Sequence, residues 1–159
     1  MKPLEDLPIR DRIAAALAEA EDAEDRTRLC TLRLVACALR DRDAALRARE
    51  DGPDRISDAE AAEMLATMIR QREASASAYE ESGRLDLAEE ERSEIEVLRE
   101  FLPRPLSEEE VSRAVSETIA RTGARSLADL GAVMGALKSR YAGRMDFCKA
   151  GAAVRARLG

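Results

Sequence analysis

The sequence predicts an all-α protein, an N-terminal antiparallel helical bundle joined by a Pro-rich hinge to a small three-helix C-terminal domain. Three observations carry that prediction. Ala, Arg, Glu and Leu dominate the 159 residues, β-branched residues are few, and two Phe, two Tyr and no Trp leave the core to aliphatic side chains. Apolar residues recur at helical spacing between recognisable caps and breakers. Finally, Pro103 and Pro105 interrupt the pattern once, where no helix can continue. The length suits one domain or a medium domain with a smaller one, and folding buries about two thirds of the chain's surface.

Taken in order, helix one is expected over about 8–22, with Ile9, Ile13, Ala16, Leu17 and Ala20 as its inner stripe. Helix two is expected over about 24–50. Its middle, Leu29 to Leu39, is apolar on nearly every side except Arg33, which predicts the most buried helix. Cys30 and Cys37 fall in that stretch, and with Cys148 they are read as buried reduced thiols. The charged end of helix two, RDRDAALRARE, is expected to project into solvent. Asp51-Gly52-Pro53-Asp54 then breaks the chain.

Ser57 and Glu60 form a capping box that opens helix three, with Ala61, Met64, Leu65, Met68, Ile69 and Ala76 inward and Gly83 at its end. Helix four, about 84–101, places Leu85, Ala88, Ile95, Leu98 and Phe101 inside. Its acidic run Glu89, Glu90, Glu91, Glu94, Glu96 forms a solvated face. The short loops favour antiparallel neighbours, giving an N-terminal domain over 1–102. Beyond the Pro103/Pro105 hinge, a second domain is expected over 107–159. Ser107 and Glu110 restart the chain with another capping box, and helix five (107–122) buries Val111, Ala114, Val115, Thr118 and Ile119. Gly123 stops it. Ser126 and Asp129 open helix six, with Leu127, Leu130, Val133, Met134 and Leu137 inward. Gly143 breaks the chain, and Asp146 caps a last helix to about Leu158.

Composition narrows the function classes. No histidine is present, so the usual general base near neutral pH is missing, and three scattered cysteines make no zinc site. Neither a GxxxxGK[ST] nor a GxGxxG phosphate loop occurs. The consecutive carboxylates of helix four fan out around it and do not converge. The expectation is therefore no catalytic residue, no metal and no cofactor. No apolar run reaches the length of a bilayer crossing, and the charged N-terminus does not read as a signal peptide, so the expected setting is the cytoplasm, with no membrane partner.

Charge is uneven. The net value is −6, yet from Arg121 onward eight basic residues face two acidic ones, leaving +6 on the last stretch. Such asymmetry points to an anionic partner for the basic part. In the same stretch Gly131 and Gly135 lie four apart on one helical face. Two glycines inside a helix cost roughly 1 kcal/mol each relative to Ala. Either they allow close contact with helix five or seven, or they bare a backbone face for a ligand, flanked by Lys138, Arg140 and Arg144.

The segments Ile69–Val111 and Thr122–Asp146 resemble the YqeY-like proteins of the GatB/YqeY family. Arg72-x-x-Ser75-Ala76, the turn Gly83-Arg84-x-Asp86-Leu87-Ala88-Glu89 and Phe101-Leu102-Pro103 carry the likeness, and it covers the chain from about helix two onward. The resemblance implies a helical bundle followed by a small domain similar to the GatB tail of the glutamine-dependent aminoacyl-tRNA amidotransferase. That tail binds tRNA, while the chemistry belongs to other domains. By matching position the motif residues are Gly131, Val133, Met134, Gly135, Lys138, Gly143, Arg144 and Asp146. Phe147 and Cys148 stand where relatives usually have Gly-Lys, and Ser139 where many have proline.

The function so implied is a non-catalytic accessory protein of tRNA-dependent amidation. Its expected partners are tRNA, through the C-terminal domain, and amidotransferase or aminoacyl-tRNA synthetase components. Its nucleic-acid-binding residues are Gly131, Gly135, Lys138, Arg140, Gly143 and Arg144. The alternatives are a protein–protein interaction module without RNA binding, and a carbon–nitrogen ligase that takes its amido nitrogen from glutamine.

Overall fold

The computed structural model describes residues 2–159. Among them are seven α-helices and two 3-10 turns, and no strand. The helices are α1 (Ile9–Asp22), α2 (Arg26–Arg47), α3 (Asp58–Glu81), α4 (Leu85–Arg99), α5 (Glu108–Thr122), α6 (Leu130–Tyr141) and α7 (Phe147–Leu158). Contacts divide the chain into two compact units that meet in sequence between Leu102 and Pro103. No described helix is long and apolar enough to cross a membrane.

In the first unit α3 packs most extensively on α4, and α1 on α2, with α2 also against α4 and α1 against α3. Local chemistry sets the element boundaries. The Ser57 hydroxyl accepts from the Glu60 amide at 3.1 Å while the Glu60 carboxylate accepts from the Ser57 amide at 2.7 Å, closing the capping box at the start of α3. Gly83 takes a left-handed φ of 77°, which turns the chain so that α4 returns along α3. Ile9, Ile13, Leu32, Val35, Leu39, Met64, Leu65, Ile95, Leu98 and Phe101 are buried.

Polar contacts then tie distant parts of this unit together. The Ile9 amide donates to the Asp58 carboxylate at 2.7 Å, joining the starts of α1 and α3. Arg12 donates to the carbonyls of Glu100 and Phe101 and lies over the Phe101 ring, so one side chain satisfies the open end of α4. Arg72 is gripped by Glu91 and Glu94 of α4. Two members of the acidic run are therefore half-buried partners of an arginine, not part of a free solvated face.

Four expectations are corrected here. Helix α2 is one-sided: Cys30, Leu34 and Cys37 face solvent, because α1 and α4 cover only the opposite side. Cys148 is exposed as well, so none of the three thiols is a core residue. Leu85 and Leu127 are exposed because each sits where the chain enters a helix, outside the packed stripe. Asp43, in the charged end of α2 expected to face solvent, is buried. Both terminal nitrogens of Arg10 reach it at 2.9 Å, and the Ile56 amide donates to it at 2.9 Å. That amide bond, with Arg10 beside it, holds the Asp43 carboxyl below its ordinary value.

The second unit consists of α5, α6 and α7 around Ala114, Val115, Val133, Leu137, Met145, Ala150 and Val154. A capping box at Ser107 and Glu110 opens α5, and Gly123 at φ 68° closes it. Helix α6 does not begin at Ser126. The Asp129 carboxylate accepts from the Arg125 and Ser126 amides, which winds a 3-10 turn over Leu127–Asp129 before α6 starts. Arg157 of α7 donates to the Ser112 carbonyl and to the Ser112 and Ser116 hydroxyls, locking α7 onto α5.

Candidate nucleic-acid interface

Helix α6 presents two faces, and the physics of each is plain. At about 100° per residue, Val133 and Leu137 lie together and fill the core of the unit. On the other side lie Gly131, Gly135 and Lys138, within about 60° of one another. All three are exposed. A β-carbon built at Gly131 or Gly135 meets nothing within 4 Å. The close-packing explanation of these glycines is therefore excluded within this unit, and the backbone between them lies open. Ser139 sits beside Gly135 on the same side.

The structure does not bring all the expected residues to this face. Arg140 lies about 180° around α6 from Gly131, and its guanidinium sits 5.6 Å from the Tyr141 ring centre. Gly143 has φ 74°, the left-handed turn that ends α6 and frees the chain to enter α7. Arg144 is held within the unit's own framework. Its Nε donates to the Arg104 carbonyl at 3.1 Å, and its carbonyl accepts from the Leu106 amide at 2.8 Å. Those two bonds hold the Pro103–Leu106 connector against the α6–α7 turn. Asp146 is likewise structural, its carboxylate accepting from the Cys148 and Lys149 amides as the N-cap of α7. Met134 lies 3.7 Å from where a β-carbon on buried Gly151 would stand.

The motif thus separates into a frame (Val133, Met134, Gly143, Asp146 and Arg144, by both its backbone and its side chain) and an open surface (Gly131, Gly135 and Lys138). Sequence reasoning missed Arg104, whose carbonyl anchors Arg144 while its guanidinium pairs with Glu110 at 2.9 Å. Glu110's carboxyl is held below its ordinary value by the Ser107 amide and then by Arg104. No local pattern marks the link from Arg104 to Arg144, since its two ends lie forty residues apart in sequence.

A family model described as Yqey-like protein matches residues 10–158. The chain belongs to the YqeY-like family. That assignment gives the likeness a physical basis in the first unit. Arg72 of its Arg-x-x-Ser-Ala segment is the arginine clasped by Glu91 and Glu94, and Gly83 of the Gly-Arg turn is the left-handed residue between α3 and α4. The comparison with curated proteins returned no match.

The open glycines carry an immediate stability prediction. Gly131→Ala with Gly135→Ala adds two methyl groups to open space and removes two helix-destabilising residues, so the second unit should gain roughly 1–2 kcal/mol. Thermal unfolding of the double variant checks this. A lowered melting temperature would mean the face is packed after all.

Proposed function

We propose that this YqeY-like protein is a non-catalytic accessory factor of tRNA-dependent amidation that binds tRNA through the exposed face of α6. The observation that carries the reading is the uncovered helical backbone at Gly131 and Gly135 with Lys138 beside it, in the stretch of the chain that holds a +6 charge. A bare backbone admits a sugar–phosphate chain closely, and a lysine supplies the counter-charge. The resemblance read from the Thr122–Asp146 sequence to the GatB tail of the amidotransferase supports the same reading and is the reason for choosing tRNA as the RNA class. Arg140 and Arg144 add to the field around the face, Arg144 mainly by shaping it. The setting is the cytoplasm, and amidotransferase or synthetase components are the protein partners. The two compact units act as domains joined at Pro103 and Pro105.

Titration of bulk tRNA with Gly131→Leu/Gly135→Leu and with Lys138→Ala tests the assignment. The leucine pair closes the backbone face and should abolish binding while the helical content is kept. Lys138→Ala should weaken binding and flatten its salt dependence by about one unit of slope. Binding unchanged in both variants removes the face from the reading. Partners that still co-purify from lysate after nuclease treatment would favour a protein-docking role instead.

A further inference from the structure

The outward side of α2 is unused by the fold, yet from Thr27 to Cys37 it is patterned. Thr27, Cys30, Leu34 and Cys37 fall on one line, which Asp41 ends, opposite Leu32, Val35 and Leu39, which fill the core. Leu34 is 53% exposed, and both thiols are free and open to solvent. Beside this seam runs a row of arginines at a strict seven-residue interval: Arg26, Arg33, Arg40 and Arg47, from the first residue of α2 to the last. All four are exposed. The other flank carries Ala38 and Ala45. A seven-residue repeat of this kind, apolar seam with one charged flank, is the pattern by which one helix specifies another.

We infer that this side of α2 is a docking seam for a single amphipathic helix of a partner protein whose facing flank is acidic. Charge decides the occupant. A second copy of α2 packed antiparallel would set arginine row against arginine row, and packed parallel it would set arginines against alanines. The chain's own last stretch, at +6, is repelled by the same row. Single-stranded nucleic acid is held by stacking on aromatic rings between basic groups, and here the seam offers a leucine and two thiols. A row of Glu or Asp at the same interval, flanking Leu or Ile side chains that pack around Leu34, meets the arginine row and the apolar line from Thr27 to Cys37, and its contact ends before Asp41. The arginines are available to it. Arg33 reaches Glu21 at 3.4 Å with both side chains more than half exposed, a pair that water screens and a partner carboxylate can replace, and Arg40 donates to the Cys37 sulfur at 3.3 Å.

The thiols supply the readout. Two synthetic three-heptad helices serve as probes, both with Leu at the seam, one with Glu and one with Lys at the flanking positions. Alkylation of the full-length protein by iodoacetamide is followed at each cysteine by mass spectrometry. The Glu peptide should slow modification of Cys30 and Cys37 by the factor 1 + [L]/Kd, about five-fold at four times Kd, while Cys148 reacts at its free rate. The Lys peptide should protect neither, and Arg33→Glu with Arg40→Glu should reverse the preference. The inference is overturned by no protection up to about 1 mM Glu peptide, by equal protection of Cys148, or by equal protection from the Lys peptide. It is also overturned if bulk tRNA protects Cys30 and Cys37 equally well, or if protection rises with protein concentration alone.

Discussion

Replacing Asp43 with alanine is expected to lower the unfolding free energy of the first unit by about 3 kcal/mol, read from denaturant unfolding. The side chain is 8% exposed and receives two guanidinium nitrogens of Arg10 and the Ile56 amide. Truncation leaves a cation of α1 and a backbone N–H just before α3 without their acceptor. Asp43→Asn keeps the shape and an acceptor for Ile56 but loses the charge, so it should cost less. The pH dependence has a definite sign. Asp43's carboxyl lies below its ordinary value of 3.8 in the fold, so the ion's contribution is complete above that value. It declines as the pH falls below 3.8, where the unfolded chain takes up the proton first, and is gone once the folded protein takes it up as well. Stability of the wild type should fall more steeply there than that of Asp43→Asn. Parallel curves would show that the charge contributes nothing.

Leu137→Ala is the second large effect. Leu137 has no exposed surface and packs in the small core of the second unit with Val115, Val133 and Val154. Deleting three carbons from such a site costs roughly 2–5 kcal/mol. That is a large part of what a small unit of this size has to lose. If the two units are independent domains, calorimetry should show the transition of the second moving down or vanishing while that of the first stays in place. A single transition that shifts as a whole would show that they unfold together.

The parts of the fold written in local chemistry were legible in the sequence. Ser57 with Glu60, Ser107 with Glu110, and the turn glycines Gly83, Gly123 and Gly143 act on residues a few positions away, and each sits where its pattern placed it. What depended on distant neighbours was not. The apolar run around Cys30 and Cys37 looks buried on all sides until α1 and α4 are seen to cover only one of them. Asp43 reads as one charge among many because Arg10 and Ile56 lie 33 and 13 residues away. The candidate site shows the same division. Glycine spacing marked α6, but only the open space above Gly131 and Gly135 decided between packing and exposure, and only the helix geometry turned Arg140 away from them.

The α6 face is proposed to bind tRNA by its backbone opening and its charge. Measuring the affinity of the full-length protein for bulk tRNA across a range of salt concentrations tests it most directly. Lys138 neutralises one phosphate for a slope of about −1, and each further cation of the +6 stretch that meets the backbone adds about as much, so log K should fall linearly with log salt at a slope of about −1 or steeper. No binding at the lowest salt, or binding indifferent to salt, would contradict it.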